Sequence, residues 1–113
     1  MKKRILLMSA VLLSIVGFAQ TDIATARTQG VGATVTITGV VTNGDELGPI
    51  RYVEDATAGI ALYDPSSLVG VARGDEVTVT GVLVDYFGLL EMTPVSSYII
   101  NNSGNLSTPQ ITT

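Results

Sequence analysis

The sequence predicts a small all-β domain, a five-stranded closed barrel entered through a short helix and preceded by an export leader. Three observations carry that prediction. From Thr34 to Ile100 apolar and polar residues alternate with a period of two, interrupted by Gly, Pro, Asn and Asp. No long helical period is legible anywhere after residue 20. A segment also recurs: residues 32–43, GATVTITGVVTN, and residues 74–85, GDEVTVTGVLVD, share six of twelve positions at an offset of 42 residues. A solenoid needs at least three such units. Two copies are read instead as equivalent strands of one barrel, each with a mid-strand glycine, Gly39 and Gly81, where the strand bends to serve both sides.

The elements follow in order. Lys2, Lys3 and Arg4 precede an apolar run over residues 5–18, and Gly17-Phe18-Ala19 places small residues around a cleavage point before Gln20. This is a signal peptide, residues 1–19. A membrane-spanning helix needs about 20 apolar residues; this run is shorter and broken by Ser9, Ser14 and Gly17. Residues 20–100 then form the domain and 101–113 a polar tail or linker. Thr21 or Asp22 caps a helical turn or two through Arg27, with Ile23 and Ala26 on one face. The first strand covers residues 34–42 and turns at Asn43-Gly44. Strands at 50–55 and 59–64 make a hairpin closed by side-chain bonds of Asp55 and Thr57; one register sets Val53 opposite Leu62 inside and Tyr52 opposite Tyr63 outside. Residues 65–73 have no clear period. A strand at 76–84 points Val77, Val79 and Val82 one way, Tyr86-Phe87-Gly88 is a tight loop, and the last strand, 89–100, is interrupted at Pro94, which fits only a bulge or an edge. The core is Val35, Ile37, Val53, Ile60, Leu62, Val77, Val79 and Leu90.

Composition narrows the chemistry. The 113 residues are 46% apolar and 14% charged, with no Cys, His or Trp, enough for one small domain. Past residue 19 there are three Arg and no Lys against ten carboxylates, a net charge of −7. Without Cys or His there is no zinc cage, haem ligand, thiolate nucleophile or Ser-His-Asp relay, and without Lys no Schiff base or P-loop lysine. No cofactor is expected. An exported domain without disulfides stands on its core alone, and 94 residues bury roughly 60 to 65% of the unfolded surface.

VTITGVVTN, IRYVEDATAGIALYD, GDEVTVTGVL, the aromatic loop and LLEMTPVS, taken together, resemble the OB-fold accessory module of secreted bacterial nucleases and related phosphoesterases. The resemblance spans roughly residues 22–100 and rests on the spacing of four segments. It implies a five-stranded OB barrel serving a catalytic domain that lies elsewhere. A fainter resemblance links the chain to single-domain periplasmic OB-fold binders of similar size.

OB-folds bind oligonucleotides or oligosaccharides on the face of strands two and three and in the one-two and four-five loops. Here that surface carries Tyr52, Glu54, Ala61 and Tyr63 with Asp45, Glu46, Tyr86 and Phe87 from the loops. Tyr52, Tyr63, Tyr86, Phe87 and Arg51 are the candidate ligand-binding residues, since aromatic faces stack on bases or sugars. The competing reading makes Tyr52 and Tyr63 a covering pair and Phe87 a plug for the barrel end. Strong nucleic-acid binders neutralise about six to ten phosphates, and three arginines among ten carboxylates predict weak binding or none. The pairs Asp45-Glu46, Glu54-Asp55 and Asp75-Glu76 match no calcium-loop spacing and read as solvated caps; a barrel this small offers no cleft to set two carboxylates around a sugar. The expectation is a non-catalytic, monomeric binding or docking module, secreted or periplasmic, off the membrane once the leader is cleaved, with a neighbouring catalytic domain or protein as partner. The alternative is a stand-alone periplasmic binder of a small ligand or cation.

Overall fold

A computed structural model describes residues 20–105; the leader and the end of the tail lie outside the described residues. One helical turn, α1 (Ile23–Ala26), precedes five strands: β1 (Thr34–Val41), β2 (Ile50–Glu54), β3 (Gly59–Tyr63), β4 (Glu76–Tyr86) and β5 (Leu89–Asn102). They close into a barrel in the order β1-β2-β3-β5-β4. Every pairing is antiparallel except β3 with β5. This is the five-stranded arrangement of an OB-fold.

The recurring segment has a geometric meaning. β1 and β4 pair antiparallel with Ile37 opposite Val79, which are equivalent positions of the two copies. A local two-fold therefore runs between them, and it sets threonine opposite threonine on either side. Thr36 and Thr80, and likewise Thr38 and Thr78, join their hydroxyls at 2.7 Å. Gly39 sits where β2 crosses β1: a Cβ there would lie 2.6 Å from Val53 Cγ1 and 2.7 Å from the Glu54 carbonyl oxygen. At Gly81 a Cβ would meet the Pro94 carbonyl at 2.9 Å. Both glycines thus stand where strands crowd.

Inside the barrel Ile37, Val41, Val53, Leu62, Val77, Val79, Leu83 and Met92 are buried; α1 adds Ile23 and Ala26, and the β3–β4 connection adds Leu68 and Val71. That connection, aperiodic in sequence, earns its place through those two anchors. Asp22 caps α1 by accepting from the Thr25 amide at 2.8 Å. Asp55 gathers the hairpin loop, its Oδ1 accepting from the Thr57 amide and hydroxyl and the Ala58 amide, while its Oδ2 accepts from the Ile23 amide at 2.8 Å. One carboxylate therefore ties the hairpin to the helix.

Three expectations need correction. Val53 pairs with Ile60 and Tyr52 with Ala61, so the β2–β3 register differs by two residues from the expected Val53–Leu62 and Tyr52–Tyr63 pairs. The Asp55 bonds hold residues 55–58 in the loop and make Glu54–Gly59 the first pair. A two-residue shift preserves the faces, so Val53 and Leu62 still point in and both tyrosines out. On β4 the next inward residue after Val79 and Gly81 is Leu83, not Val82. The extra residues are on β5, opposite Gly81 and near Pro94, so β4 alternates without interruption. Leu90 is only partly buried. β5 also continues two residues past Ile100, and Asn105 bonds the Gly74 carbonyl through its amide and side chain at 2.8 and 2.9 Å.

Candidate functional site

The outer face of β2, β3 and β5 is flanked by two loops. Between β1 and β2, Asn43 fixes the backbone: its Nδ2 donates to the Ile50 carbonyl and its Oδ1 accepts from the Tyr52 amide at 2.7 Å. A single 3-10 turn, Asp45–Leu47, then leaves Leu47 exposed. Between β4 and β5 the turn is two residues long, with Tyr86 paired to Leu89. Both central residues have positive φ, 50° at Phe87 and 94° at Gly88. That is the backbone of a type I′ hairpin, which favours Asn-Gly. The Asp85 carboxylate accepts from the Gly88 amide at 2.7 Å and holds it.

Phe87 is 93% exposed, so nothing in the fold uses its ring except an edge-on contact with Tyr86, centroids 4.8 Å apart. It does not plug the barrel. An aromatic residue in a left-handed conformation with its ring in solvent is a poor choice for folding.

Between the two loops lies a groove of about 420 Å³ whose lining includes Leu47, Ile50, Tyr63, Tyr86, Leu89 and Glu91. Glu91 stands on the outer face of β5, opposite Ala61 in the parallel pair with β3 and opposite Val84 in the pair with β4. It is nonetheless only 5% exposed, and Ala61 1%. Ala61 itself lines the adjoining groove with Tyr52. Burial pushes the Glu91 carboxyl above its ordinary value.

Tyr63 and Tyr86, two of the sequence-predicted residues, therefore share one groove, and Phe87 touches it only through its ring contact with Tyr86. Tyr52 faces outward but lines a separate groove of about 340 Å³ with Arg27, Glu54 and Leu89. Arg51 lies elsewhere again. It points inward, 2% exposed, and donates to the carbonyls of Val71, Gly48 and Ile50 at 2.7 to 3.0 Å. Sequence reasoning missed Leu47, Leu89 and Glu91. The signal was the alternation of LLEMT, in which inward Leu90 and Met92 force Glu91 outward beside the tyrosines.

The other charges are largely committed. Arg27 donates to the Gly59 carbonyl, and Arg73 to the Thr42 carbonyl and, at 2.7 Å, to Glu46. Glu46 is held below its ordinary value by its own backbone amide, with help from the Gly44 amide and Arg73. Asp75 accepts from the Ala72 amide at 2.9 Å. Among the described residues no three Asp or Glu gather into a set that could hold a metal ion, and no helix is long and apolar enough to cross a membrane.

No protein-family model matches the chain. It is 39% identical over 83 residues to a segment of Endonuclease YhcR from Bacillus subtilis (strain 168); the match covers 66% of this chain and 7% of that protein's length. The hypothetical protein ygiW from E. coli superposes with a TM-score of 0.58 at 18% identity, over 76% of this chain and 99% of that one. The OBody AM1L10, solved bound to hen egg-white lysozyme, gives a TM-score of 0.54 at 20% identity, over 66% of this chain and 83% of its own. The two structural likenesses are likenesses of fold.

Proposed function

We propose that this chain is a non-catalytic, exported OB-fold module that binds or docks a partner through the groove between the β1–β2 and β4–β5 loops. One observation carries the reading: Phe87, held at φ 50° and 93% exposed, stands next to Tyr86, which lines a groove on the face where OB-folds take ligands. The similarity to a segment of an endonuclease supports a neighbouring nuclease domain or protein as the partner. The leader-like residues 1–19 support export, to the periplasm or beyond.

Binding of nucleic acid by the module itself is disfavoured by charge. Each of its three arginines is turned onto backbone carbonyls, and the module carries ten carboxylates against them. Loss of catalysis has a direct test. Nuclease and phosphatase assays with magnesium, calcium or manganese should give no turnover, and turnover abolished by replacing a carboxylate would defeat the reading. Export is tested by the mass of protein recovered outside the cytoplasm, which should begin at Gln20; an intact Met1 would contradict it. The size of the groove also fits a small ligand, which favours a stand-alone binder as the second reading.

A further inference from the structure

The groove contains one group that the fold leaves without a use. Glu91 is 95% buried, lines the groove, and its carboxylate makes no hydrogen bond or ion pair among the described residues. Its stem is packed down, while its carboxylate oxygens, which are not buried without a partner, open into the groove. The barrel could close its outer face with any apolar or amide side chain at this position, as it does with Ala61 alongside. A partly desolvated carboxylate with free oxygens in a groove is a strong recognition element for a cation that brings its own hydrogen-bond donors. Its walls suit the same guest: Tyr63 and Tyr86 offer aromatic faces to a cation, and Leu47, Ile50 and Leu89 offer apolar surface to a hydrocarbon stem.

Resting on the proposed binding role of this face, we propose that the groove receives a basic side chain, arginine or lysine, presented by a partner polypeptide, with Glu91 as its counter-charge. Two features select a polypeptide over a free small cation. The domain carries three arginines against ten carboxylates and so attracts a basic protein surface. Phe87 and Leu47 lie exposed at or beside the groove, where a small cation seated on Glu91 would leave them unused and a polypeptide flanking its basic residue would cover them. An aromatic rim around a desolvated charge pair is the anatomy of an interface hot spot.

The test is an amide chemical-shift titration of the purified protein with a blocked pentapeptide, Leu-Gly-Arg-Gly-Leu, with its citrulline counterpart, and with methylguanidinium. The arginine peptide should move the amides of Ala61, Tyr63, Tyr86 and Glu91. Citrulline, which keeps the shape and removes the charge, should bind about tenfold more weakly or worse, and Glu91→Gln should weaken the arginine peptide to the same degree. The unfolding midpoint of Glu91→Gln should not fall, because the amide removes an uncompensated charge. Equal affinity for the two peptides, unchanged affinity in Glu91→Gln, or shifts confined to another face would each overturn the inference. Methylguanidinium binding as tightly as the peptide would overturn the polypeptide as the source. Equal binding of both peptides at the groove would end the cation reading and leave the docking face intact, whereas a face silent to ligands of every class would end both.

Discussion

Replacing Phe87 with Asn should stabilise the protein while damaging its binding face. Phe87 sits at φ 50° in the first central position of a two-residue hairpin turn. A left-handed conformation costs an ordinary L-residue about 1–2 kcal/mol, and Asn, whose short polar side chain bonds locally, much less. Against this gain stands the edge-to-face contact with Tyr86 at 4.8 Å, worth about 0.5–1.5 kcal/mol for a well-packed pair and less for rings exposed to water. The ring is 93% exposed, so its removal opens no cavity. The balance is a gain of up to about 1 kcal/mol, and each kcal/mol moves the thermal midpoint of a domain this size by about 4–8 °C. Urea denaturation with an unchanged m-value and a raised midpoint is the expected result. A loss of about 1 kcal/mol or more would mean that Phe87 supports the fold, and the case for an aromatic kept for contact would collapse.

Leu62→Ala removes a wholly buried side chain and should cost about 2–5 kcal/mol, whereas Tyr63→Ser, on the outer face, should cost no more than about 1 kcal/mol; equal losses in chemical denaturation would place Tyr63 in the core. Gly39→Ala should be among the most damaging single changes, because its Cβ would meet Val53 and the Glu54 backbone at 2.6–2.7 Å; a mutant with a wild-type melting curve would show that β2 does not cross β1 so closely. Burial pushes the Asp55 carboxyl up, but bonds from the Thr57 hydroxyl and the Ile23, Thr57 and Ala58 amides outweigh it and hold it below its ordinary value. Its contribution is therefore present above the unfolded pKa, about 3.9, and lost as pH falls through the folded value. Asp55→Asn should lower stability at neutral pH and flatten the acid side of the stability profile; an unchanged acid limb would assign acid sensitivity elsewhere.

The barrel was legible because its signals are local and repeated. Alternation fixes which residues of β1, β2 and β4 face inward, and the Asp55–Thr57 pair announces the hairpin. Faces survived even where register did not, since a slip of two residues leaves Tyr52 and Tyr63 outside. Loop closure decided that slip, through four bonds to Asp55 that no pattern of hydrophobicity encodes. The site was half legible for a related reason. Exposed aromatics could be read from alternation, but Arg51 looked like a ligand-binding cation and is spent on three carbonyls. Glu91 carried no mark of burial in the sequence, and its side chain packs down beside Ala61 because β3 and β5 lie side by side only after the barrel closes.

The central claim is that the face between the β1–β2 and β4–β5 loops is a binding surface and not structural cover. Amide shifts of the purified protein, followed at physiological salt against a single-stranded oligonucleotide, an oligosaccharide and an arginine-bearing peptide in turn, test it most directly. The account predicts that the peptide moves Ala61, Tyr63, Tyr86 and Glu91 together, that the same peptide leaves Phe87→Asn less perturbed, and that the oligonucleotide moves none of them. Shifts from the oligonucleotide at those four positions would contradict the charge argument, and no response there to any of the three would leave the aromatic face as cover for the barrel.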